Sequence, residues 1–168
     1  MKVLPITVEA ATQAHLEAIN SLYNHYVRTS HATFDVQDVT LDQRRAWFDA
    51  RRSGPHRVFV ASNADGLAGF ASSGPHRPKL AYLTSVETSV YVAAHAVGRG
   101  VGKALYGALF EMLKTEDVHP ALAGIALPNE ASIALHLGFG FTLVGRFTEQ
   151  GRKFGRYWDV AWYERPLY

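Results

Sequence analysis

Three closely spaced glycines stand in the stretch VGRGVGK, directly ahead of a segment with helical periodicity. Gly98, Gly100 and Gly102 leave the backbone unobstructed, so its N–H groups can converge on an anion at the start of a helix. Phosphate binding is one hypothesis for this turn, and a turn that binds nothing is equally compatible with the spacing. A Walker A loop is excluded because Ala104 replaces its Ser or Thr, and the dinucleotide fingerprint is excluded because Lys103 replaces its third glycine.

A second group of polar side chains follows Pro128 in the stretch LPNEASIALHLGFGF. Asn129, Ser132 and His136 are spaced three and four residues apart, so on a helix they face one direction. Asn129 also suits the cap of that helix, a role that requires no ligand and is compatible with a binding role. His136 has an imidazole, which can donate a proton near neutral pH or simply hydrogen-bond a ligand.

Glu87 is the candidate general base. In SVETSVYVA it alternates with valines and shares one strand face with Tyr91. A carboxylate within reach of an amine, or one water away, can take its proton. Because an unperturbed glutamate has a pKa of about 4.3, burial must raise that pKa or a water must relay the proton. An exposed carboxylate in a salt bridge is the alternative interpretation.

Metal and hydrolase chemistry have no support in the sequence. The eight histidines show neither an HExxH motif nor an i, i+4 pair, and no GxSxG motif occurs. The absence of cysteine excludes disulfides, thiolate zinc sites and thiol nucleophiles. We therefore expect no metal.

The elements that position these residues follow from periodicity and turn signals. A strand is predicted over residues 2–9, with a helix capped by Thr12 after it. Thr40 and Gln43 form a capping-box pattern ahead of LDQRRAWFDARR, which predicts a second helix with an apolar stripe. The arginines of this helix are expected to remain in solvent: Arg44, Arg45, Arg51 and Arg52.

The rest of the chain alternates strands and helices. RVFVASN and LAGFASS are predicted to pair as a hairpin, and the strand SVETSVYVA leads into the glycine turn and its helix. A strand, PALAGIAL, precedes a helix from Asn129 to Gly138, and FTLVGRFTEQ and RYWDVAWYERPL are the last two strands. This order predicts an α/β fold with a mixed sheet, in a single domain spanning 1–168.

The composition is that of a globular protein, with 48% hydrophobic and 19% charged residues among 168. The uncharged apolar runs fall well short of the roughly 18 residues that a membrane span needs. The net charge of +2 is too balanced for a nucleic-acid surface. The first residues show no export signal, so we expect a cytoplasmic protein without a nucleic-acid or membrane partner.

TSVYV, the glycine turn with its helix, and LPNEASIALHLGFGF together resemble the acetyl-CoA-binding core of the GNAT acetyltransferase superfamily, from Val86 to Phe141. The family motif is Gln or Arg, two residues, Gly, one residue, then Gly or Ala. Gly100 and Gly102 fit it, whereas Val97 replaces the first position. The resemblance implies the GNAT fold, a mixed, mostly antiparallel twisted sheet flanked by helices, with acetyl-CoA as co-substrate.

The resemblance also implies which residues contact acetyl-CoA. The main chain of Val90 and Val92 pairs with the pantetheine arm, and Asn129 and Ser132 look toward the sulfur. His136 aligns with the tyrosine that donates a proton to the thiolate in many members. The residues expected to surround the pyrophosphate are those of the turn: Gly98, Arg99, Gly100, Val101, Gly102, Lys103 and Ala104.

Three further stretches resemble the phosphinothricin N-acetyltransferase group: TSHATF, GPHRPKLAYLTSVETSVYV and GRKFGRYWDVAWYERPL. This resemblance implies a catalytic role for Glu87 and a homodimer that completes the acceptor pocket. It also implies that the acceptor is held by Phe34, Arg77, Lys79 and Tyr82.

These observations predict an N-acetyltransferase that moves acetyl from acetyl-CoA to the amine of a small amino-acid-like acceptor, of the phosphinothricin or methionine sulfoximine type. Without cysteine no acetyl-cysteine intermediate forms, so direct transfer is expected. Acetylation of a protein amino terminus or of a polyamine is an alternative within enzymes. The alternative that is not an enzyme is a non-catalytic acetyl-CoA-binding module. The one sequence feature that favours it is Val97, which departs from the family motif.

Overall fold

The structure is a computed structural model that describes residues 5–168. The first residues of the strand expected over 2–9 lie outside this part of the chain, and the described strand begins at Thr7. None of the helices in residues 5–168 has the length and apolarity to cross a membrane. In chain order the elements are β1 (Thr7–Ala10), α1 (Leu16–Thr29), α2 (Leu41–Asp49), β2 (Val58–Asn63), β3 (Gly66–Pro75), β4 (Val86–Val92), α3 (Val101–Leu113), β5 (Pro120–Ala126), α4 (Glu130–Gly138), β6 (Thr142–Lys153) and β7 (Arg156–Pro166).

The strands form one seven-stranded sheet in the order β1-β2-β3-β4-β5-β7-β6. Among the strands of residues 5–168, β4 and β5 run parallel and the other neighbouring strands pair antiparallel. The prediction of a mixed, mostly antiparallel sheet is therefore confirmed. The single domain spanning 1–168 stays a prediction, since residues 1–4 are not described.

Helices pack on both faces of the sheet. These helices contact the sheet through apolar stripes whose residues recur at helical spacing. On one face, Leu16 and Ile19 of α1 and Phe48 of α2 pack against buried side chains of β2 and β3. On the other face, Leu105 and Leu109 of α3 lie in a second cluster. Burial of one such side chain contributes about 1.5–3 kcal/mol to folding.

Local capping signals begin α2 as the sequence predicts. The N–H of Gln43 donates to Thr40 Oγ1 over 3.2 Å, and the N–H of Thr40 donates to Gln43 Oε1 over 2.8 Å. These reciprocal bonds satisfy two N–H groups that have no partner within the helix. The capping box is confirmed.

The expectation that the four arginines of α2 and its end stay in solvent is half wrong. Arg45 and Arg52 are exposed and form ion pairs with acidic residues one helical turn away. Arg44 is only 3% exposed, and Arg51 packs its guanidinium 4.7 Å from the Trp47 ring. Arg44 lies on the core-facing side of α2, where aromatic rings replace water around its flat guanidinium.

The sheet opens between its two parallel strands. β4 and β5 pair at only two positions, Val86 with Ala121 and Glu87 with Leu122. Past these positions β4 stays with β3 and β5 stays with β7, so the two strands diverge. The Thr88 hydroxyl donates to the Leu122 carbonyl over 3.3 Å where the main-chain pairing ends. The divergence leaves unpaired backbone on both strands, and a cavity lies between them.

Candidate active site

A cavity of about 560 Å³ lies where β4 and β5 diverge. Its walls come from the free edges of both strands, the glycine turn, the amino-terminal part of α4, and the end of α1 with the residues after it. The side chains and backbone that line it include Tyr26, Ser30, His31, Ala32, Thr88, Val90, Val92, Gly98, Gly100, Gly102, Ile125, Asn129, Ser132 and His136. We call this cavity the β4–β5 cleft.

The edge of β4 offers main-chain groups to the cleft. Ala93 donates its N–H to Ala68 of β3 over 2.8 Å, and Tyr91 stands opposite Phe70 in the same ladder. In an antiparallel ladder alternate residues bond the neighbouring strand, so the main chain of Val90 and Val92 turns away from β3 toward the cleft. The Val92 carbonyl accepts the Tyr26 hydroxyl over 2.7 Å. Its N–H and both polar groups of Val90 stay available, as the pantetheine role requires.

The glycine turn holds N–H groups at the start of α3. Gly98 and Gly100 have φ of 75° and 78°, which other residues adopt only with strain. The N–H of Arg99 donates to the Ala96 carbonyl over 3.4 Å, and that of Ala104 donates to the Gly100 carbonyl over 3.0 Å. Within residues 5–168, the N–H groups of residues 100–103 have no main-chain acceptor.

The turn therefore corrects one detail of the expectation. Gly98, Gly100, Val101, Gly102 and Lys103 line the cleft, whereas Arg99 and Ala104 do not, because their N–H groups bond within the turn. Four adjacent N–H groups at a helix amino terminus form an anion site. Together with the free edge of β4, they fit the acetyl-CoA implied by the resemblance.

Asn129, Ser132 and His136 all line the cleft, so the helical spacing brings them together as predicted. Asn129 Oδ1 accepts the N–H of Ser132 over 3.2 Å, which establishes its capping role. This cap is compatible with a contact from the rest of the Asn129 side chain to a ligand.

His136 does not fit the expected proton donor. Its ring is 3% exposed. Nδ1 donates to the Ser132 carbonyl over 2.7 Å, and Nε2 lies 2.9 Å from the Tyr106 hydroxyl. Burial lowers the pKa of His136, which favours the neutral ring, and both ring nitrogens lie against buried protein groups rather than open to the cleft. His136 positions α4 against α3 instead.

Glu87 lies at the edge of the cleft, at the last pair between β4 and β5, with its side chain 41% exposed. Oε2 is 3.5 Å from Nδ1 of His76. Burial raises the pKa of Glu87, and His76 and Arg77 oppose that rise. The rings of Tyr82 and Trp162 stand edge-on to His76, each at 5.9 Å between centroids. A carboxylate with a raised pKa is a better proton acceptor.

The other predicted acceptor residues do not enter the cleft. Arg77 and Lys79 are exposed, and the Phe34 ring packs against Gly151 of β6. Tyr82 reaches the Glu87 region only through His76. The structure thus groups Tyr82, His76 and Glu87, and the acceptor-binding roles of Phe34, Arg77 and Lys79 stay predictions.

The resemblance singled out the segment TSHATF after α1, but the sequence did not predict the contacts that hold it at one end of the cleft. Ser30, His31 and Ala32 line the cleft, and Lys153 donates to the carbonyls of Ser30 and Thr33 over 2.7 Å each. His31 stacks on Trp158 at 4.1 Å and bonds the Pro128 carbonyl at 2.8 Å. Only Tyr26 left a signal, as an apolar position at helical spacing. The Lys153 contacts join residues 120 or more apart and left none.

In the part of the chain that the structure describes, no three His, Asp or Glu side chains gather as metal ligands.

Comparison with known proteins gives three kinds of match. A family model described as an acetyltransferase (GNAT) domain matches residues 8–162. Phosphinothricin N-acetyltransferase of Streptomyces coelicolor is 53% identical over 165 residues, covering 96% of both chains. L-methionine sulfoximine/L-methionine sulfone acetyltransferase of Pseudomonas paraeruginosa is 37% identical, covering 96% of this chain and 94% of that protein. The solved structure of a GNAT superfamily phosphinothricin acetyltransferase from Sinorhizobium meliloti in complex with acetyl-CoA has a TM-score of 0.92 and 31% identity, covering 96% of this chain and 88% of that one.

Proposed function

Since this chain belongs to the GNAT acetyltransferase family, we propose that it transfers the acetyl group of acetyl-CoA directly to the amine of a small amino-acid-like acceptor. The β4–β5 cleft carries this proposal, because unpaired strand backbone and an anion-binding turn meet there. Phosphinothricin and methionine sulfoximine, the substrates in the names of its relatives, are the acceptors we expect.

Groups of this chain can bind both the pyrophosphate and the pantetheine arm of acetyl-CoA. The N–H groups of residues 100–103 bind the pyrophosphate, and Lys103, which lines the cleft, adds a positive charge. The main chain of Val90 and Val92 holds the pantetheine arm. Asn129 and Ser132 lie on the α4 side of the same cleft. Acetyl-CoA supplies the activated thioester, and the protein supplies position and the proton acceptor.

Glu87 takes the proton of the acceptor ammonium, directly or through one water, and frees the nitrogen lone pair. The neutral amine attacks the thioester carbonyl, the C–N bond forms, and the C–S bond breaks. The nitrogen gives its second proton to the departing thiolate, so the products are the N-acetylated acceptor and free coenzyme A. Arg77 and Lys79, exposed on the loop before β4, attract the carboxylate of the acceptor. The raised pKa of Glu87 supports this role, since it improves the match between base and ammonium.

We also propose that the chain acts as a homodimer through the edge strand β6. Leu143, Val144 and Phe147 are exposed on this strand, which pairs on one side only, with β7. An exposed apolar edge strand favours association with another copy. Light scattering should give twice the chain mass for the wild type and the monomer mass for Phe147→Lys. Val36→Lys, at another exposed apolar residue, should stay dimeric. A monomeric wild type would refute the dimer.

The activity is tested by release of the coenzyme A thiol, followed with a thiol reagent. The chain has no cysteine, so the protein itself gives no signal. The panel contains phosphinothricin, L-methionine sulfoximine, free amino acids, an alanine-terminated peptide and spermidine. We expect transfer to the first two, with kcat/KM at least tenfold above the peptide and the polyamine. Exclusive use of the peptide or spermidine would establish the protein or polyamine alternative. No transfer to any acceptor would favour the non-catalytic module.

A further inference from the structure

A second, smaller cavity of about 190 Å³ lies on the face of the sheet that α1 and α2 cover. Tyr23, Trp47 and Tyr91 form aromatic walls, and Arg44 and Asp35 bring opposite charges to it. We call it the Arg44 cavity. It is separate from the cleft but shares the wall residues Ser89 and Tyr91 with it.

Tyr91 separates the two spaces. Its ring stands edge-on between Tyr23, which lines the Arg44 cavity, and Tyr26, which lines the cleft, with both centroid distances at 5.2 Å. A ligand in the Arg44 cavity therefore contacts the opposite side of a residue that also lines the β4–β5 cleft. The cavity is positioned to bind a ligand separate from the one in the cleft.

Arg44 is 3% exposed and held in one orientation. Its Nε donates to Asn20 Oδ1 over 3.2 Å, and its guanidinium carbon lies 4.4 Å from the Tyr23 ring centroid and 4.6 Å from that of Trp47. Within residues 5–168, its two terminal nitrogens make no hydrogen bond, and they are not sealed from the cavity. A buried guanidinium with unpaired donors is costly unless an acceptor meets it.

The charges around Arg44 leave room for an anion. The Arg51 guanidinium also packs on Trp47, at 4.7 Å, whereas Asp35 is the acidic residue of the cavity. The Tyr23 hydroxyl donates to Asp35 Oδ2 over 2.6 Å, so one carboxylate oxygen stays open at the exposed side. Arg44 and Asp35 are the two charged residues among the described residues that line this cavity. A bidentate carboxylate ligand would give the terminal nitrogens of Arg44 their acceptors.

We propose that the Arg44 cavity binds the carboxylate of a small α-amino acid, with Arg44 on the carboxylate and Asp35 on the ammonium. The opposite charges at the two sides of one small aromatic cavity match a zwitterion. The amino acid is a molecule separate from the acceptor, because Asp35 and Arg44 line this cavity whereas Glu87, Arg77 and Lys79 do not.

Calorimetric titration of the protein with N,N-dimethylglycine, without acetyl-CoA, tests the site. This zwitterion has a tertiary amine and cannot keep an acetyl group. We expect it to bind at least tenfold more tightly than its methyl ester, which keeps the ammonium and lacks the carboxylate. Arg44→Gln should weaken binding tenfold or more, and Asp35→Asn severalfold. Arg45→Gln and Asp38→Asn, at exposed neighbouring positions, should bind as the wild type does.

Unchanged affinity in Arg44→Gln, or equal affinity for acid and ester, would overturn the proposal, as would no binding by the wild type. If Arg44→Gln does not fold, Asp35→Asn decides in its place, because Asp35 is exposed and its loss leaves the core intact. Unchanged affinity in Asp35→Asn would then overturn the site.

Steady-state kinetics test whether the occupant of the cavity is separate from the acceptor. We expect dimethylglycine and the acceptor to bind together, so that dimethylglycine changes kcat. A rise in the acceptor KM alone, with kcat unchanged, would mean that the two molecules compete for one site and would overturn the proposal. Binding of dimethylglycine without acetyl transfer to any acceptor would refute the proposed function and leave the cavity proposal standing.

Discussion

Glu87 faces His76 across 3.5 Å at the point where β4 parts from β5. This contact joins a carboxylate whose pKa is raised by burial to an imidazole that lowers it again. Neither residue lies inside the cleft, yet Thr88, the next residue along β4, lines it. This position supports the proposal that Glu87 takes the proton of the acceptor.

Replacing the proposed base should remove most of the activity. Glu87→Gln keeps the size of the side chain but cannot accept a proton, so kcat should fall about 10²–10⁴-fold, as for other general bases. The KM for acetyl-CoA should change little, because Glu87 does not line the cleft. Glu164→Gln, at an exposed position of β7, is the control. A wild-type rate in Glu87→Gln across pH 5–9 would refute the base.

Removing His76 should move the pH profile of the reaction. A general base loses activity as pH falls through its pKa, and His76 lowers the pKa of Glu87. His76→Asn should therefore shift the acid limb of kcat/KM toward higher pH. His95→Asn, on the surface near the glycine turn, should leave the limb in place. A limb that stays put or moves to lower pH in His76→Asn would contradict the pairing.

Lys153 should control acceptor binding through the segment after α1. It is 3% exposed and bonds the carbonyls of Ser30 and Thr33. Lys153→Met leaves these carbonyls unpaired, which should lower the free energy of unfolding by about 1–3 kcal/mol. In Lys153→Met the KM for the acceptor should rise severalfold, whereas the KM for acetyl-CoA should not change. Lys114→Met removes an exposed lysine and should change neither. Equal effects on both KM values would indicate a general loss of structure.

Two glycine substitutions in one region should have opposite effects on stability. Gly100 has φ of 78°, so Gly100→Ala should cost about 1–2 kcal/mol and raise the KM for acetyl-CoA by displacing the turn. Gly107 lies inside α3, with nothing within 4 Å of an added Cβ, so Gly107→Ala should stabilise the helix by about 0.5–1 kcal/mol. Denaturant unfolding measures both. If both substitutions lower the free energy of unfolding, packing around the added methyl group and not the backbone conformation determines their effect.

His136 should make the fold less stable in acid. Burial lowers its pKa below the ordinary value of about 6.5, so the unfolded chain binds the proton more readily. The free energy of unfolding should therefore fall as pH drops below about 6.5, down to the folded pKa. In His136→Gln this contribution disappears and the pH dependence weakens, whereas His25→Gln, at an exposed position, keeps it. An unchanged pH dependence in His136→Gln would show that burial does not lower the His136 pKa in the folded chain.

Local chemistry made much of the fold predictable. The Thr40–Gln43 capping box, the Asn129 cap and the glycine turn each act within a few residues, so the sequence alone places α2, α4 and the start of α3 correctly. The resemblance to GNAT acetyltransferases implies a main-chain role for Val90 and Val92, and both residues line the cleft. The spacing of Asn129, Ser132 and His136 predicts a common face, and all three do line the cleft.

Contacts between distant segments could not be predicted in this way. The sequence by itself determined the order of elements, the glycine turn ahead of α3 and the family resemblance, because these depend on neighbours along the chain. Only the tertiary structure decided that His136 is bonded at both ring nitrogens, that Glu87 meets His76, and that Arg44 is buried. The physical reason is that burial and partner choice depend on which surfaces pack together, and an arginine on a polar helix face reads as solvated until aromatic rings from α1 and α2 enclose it.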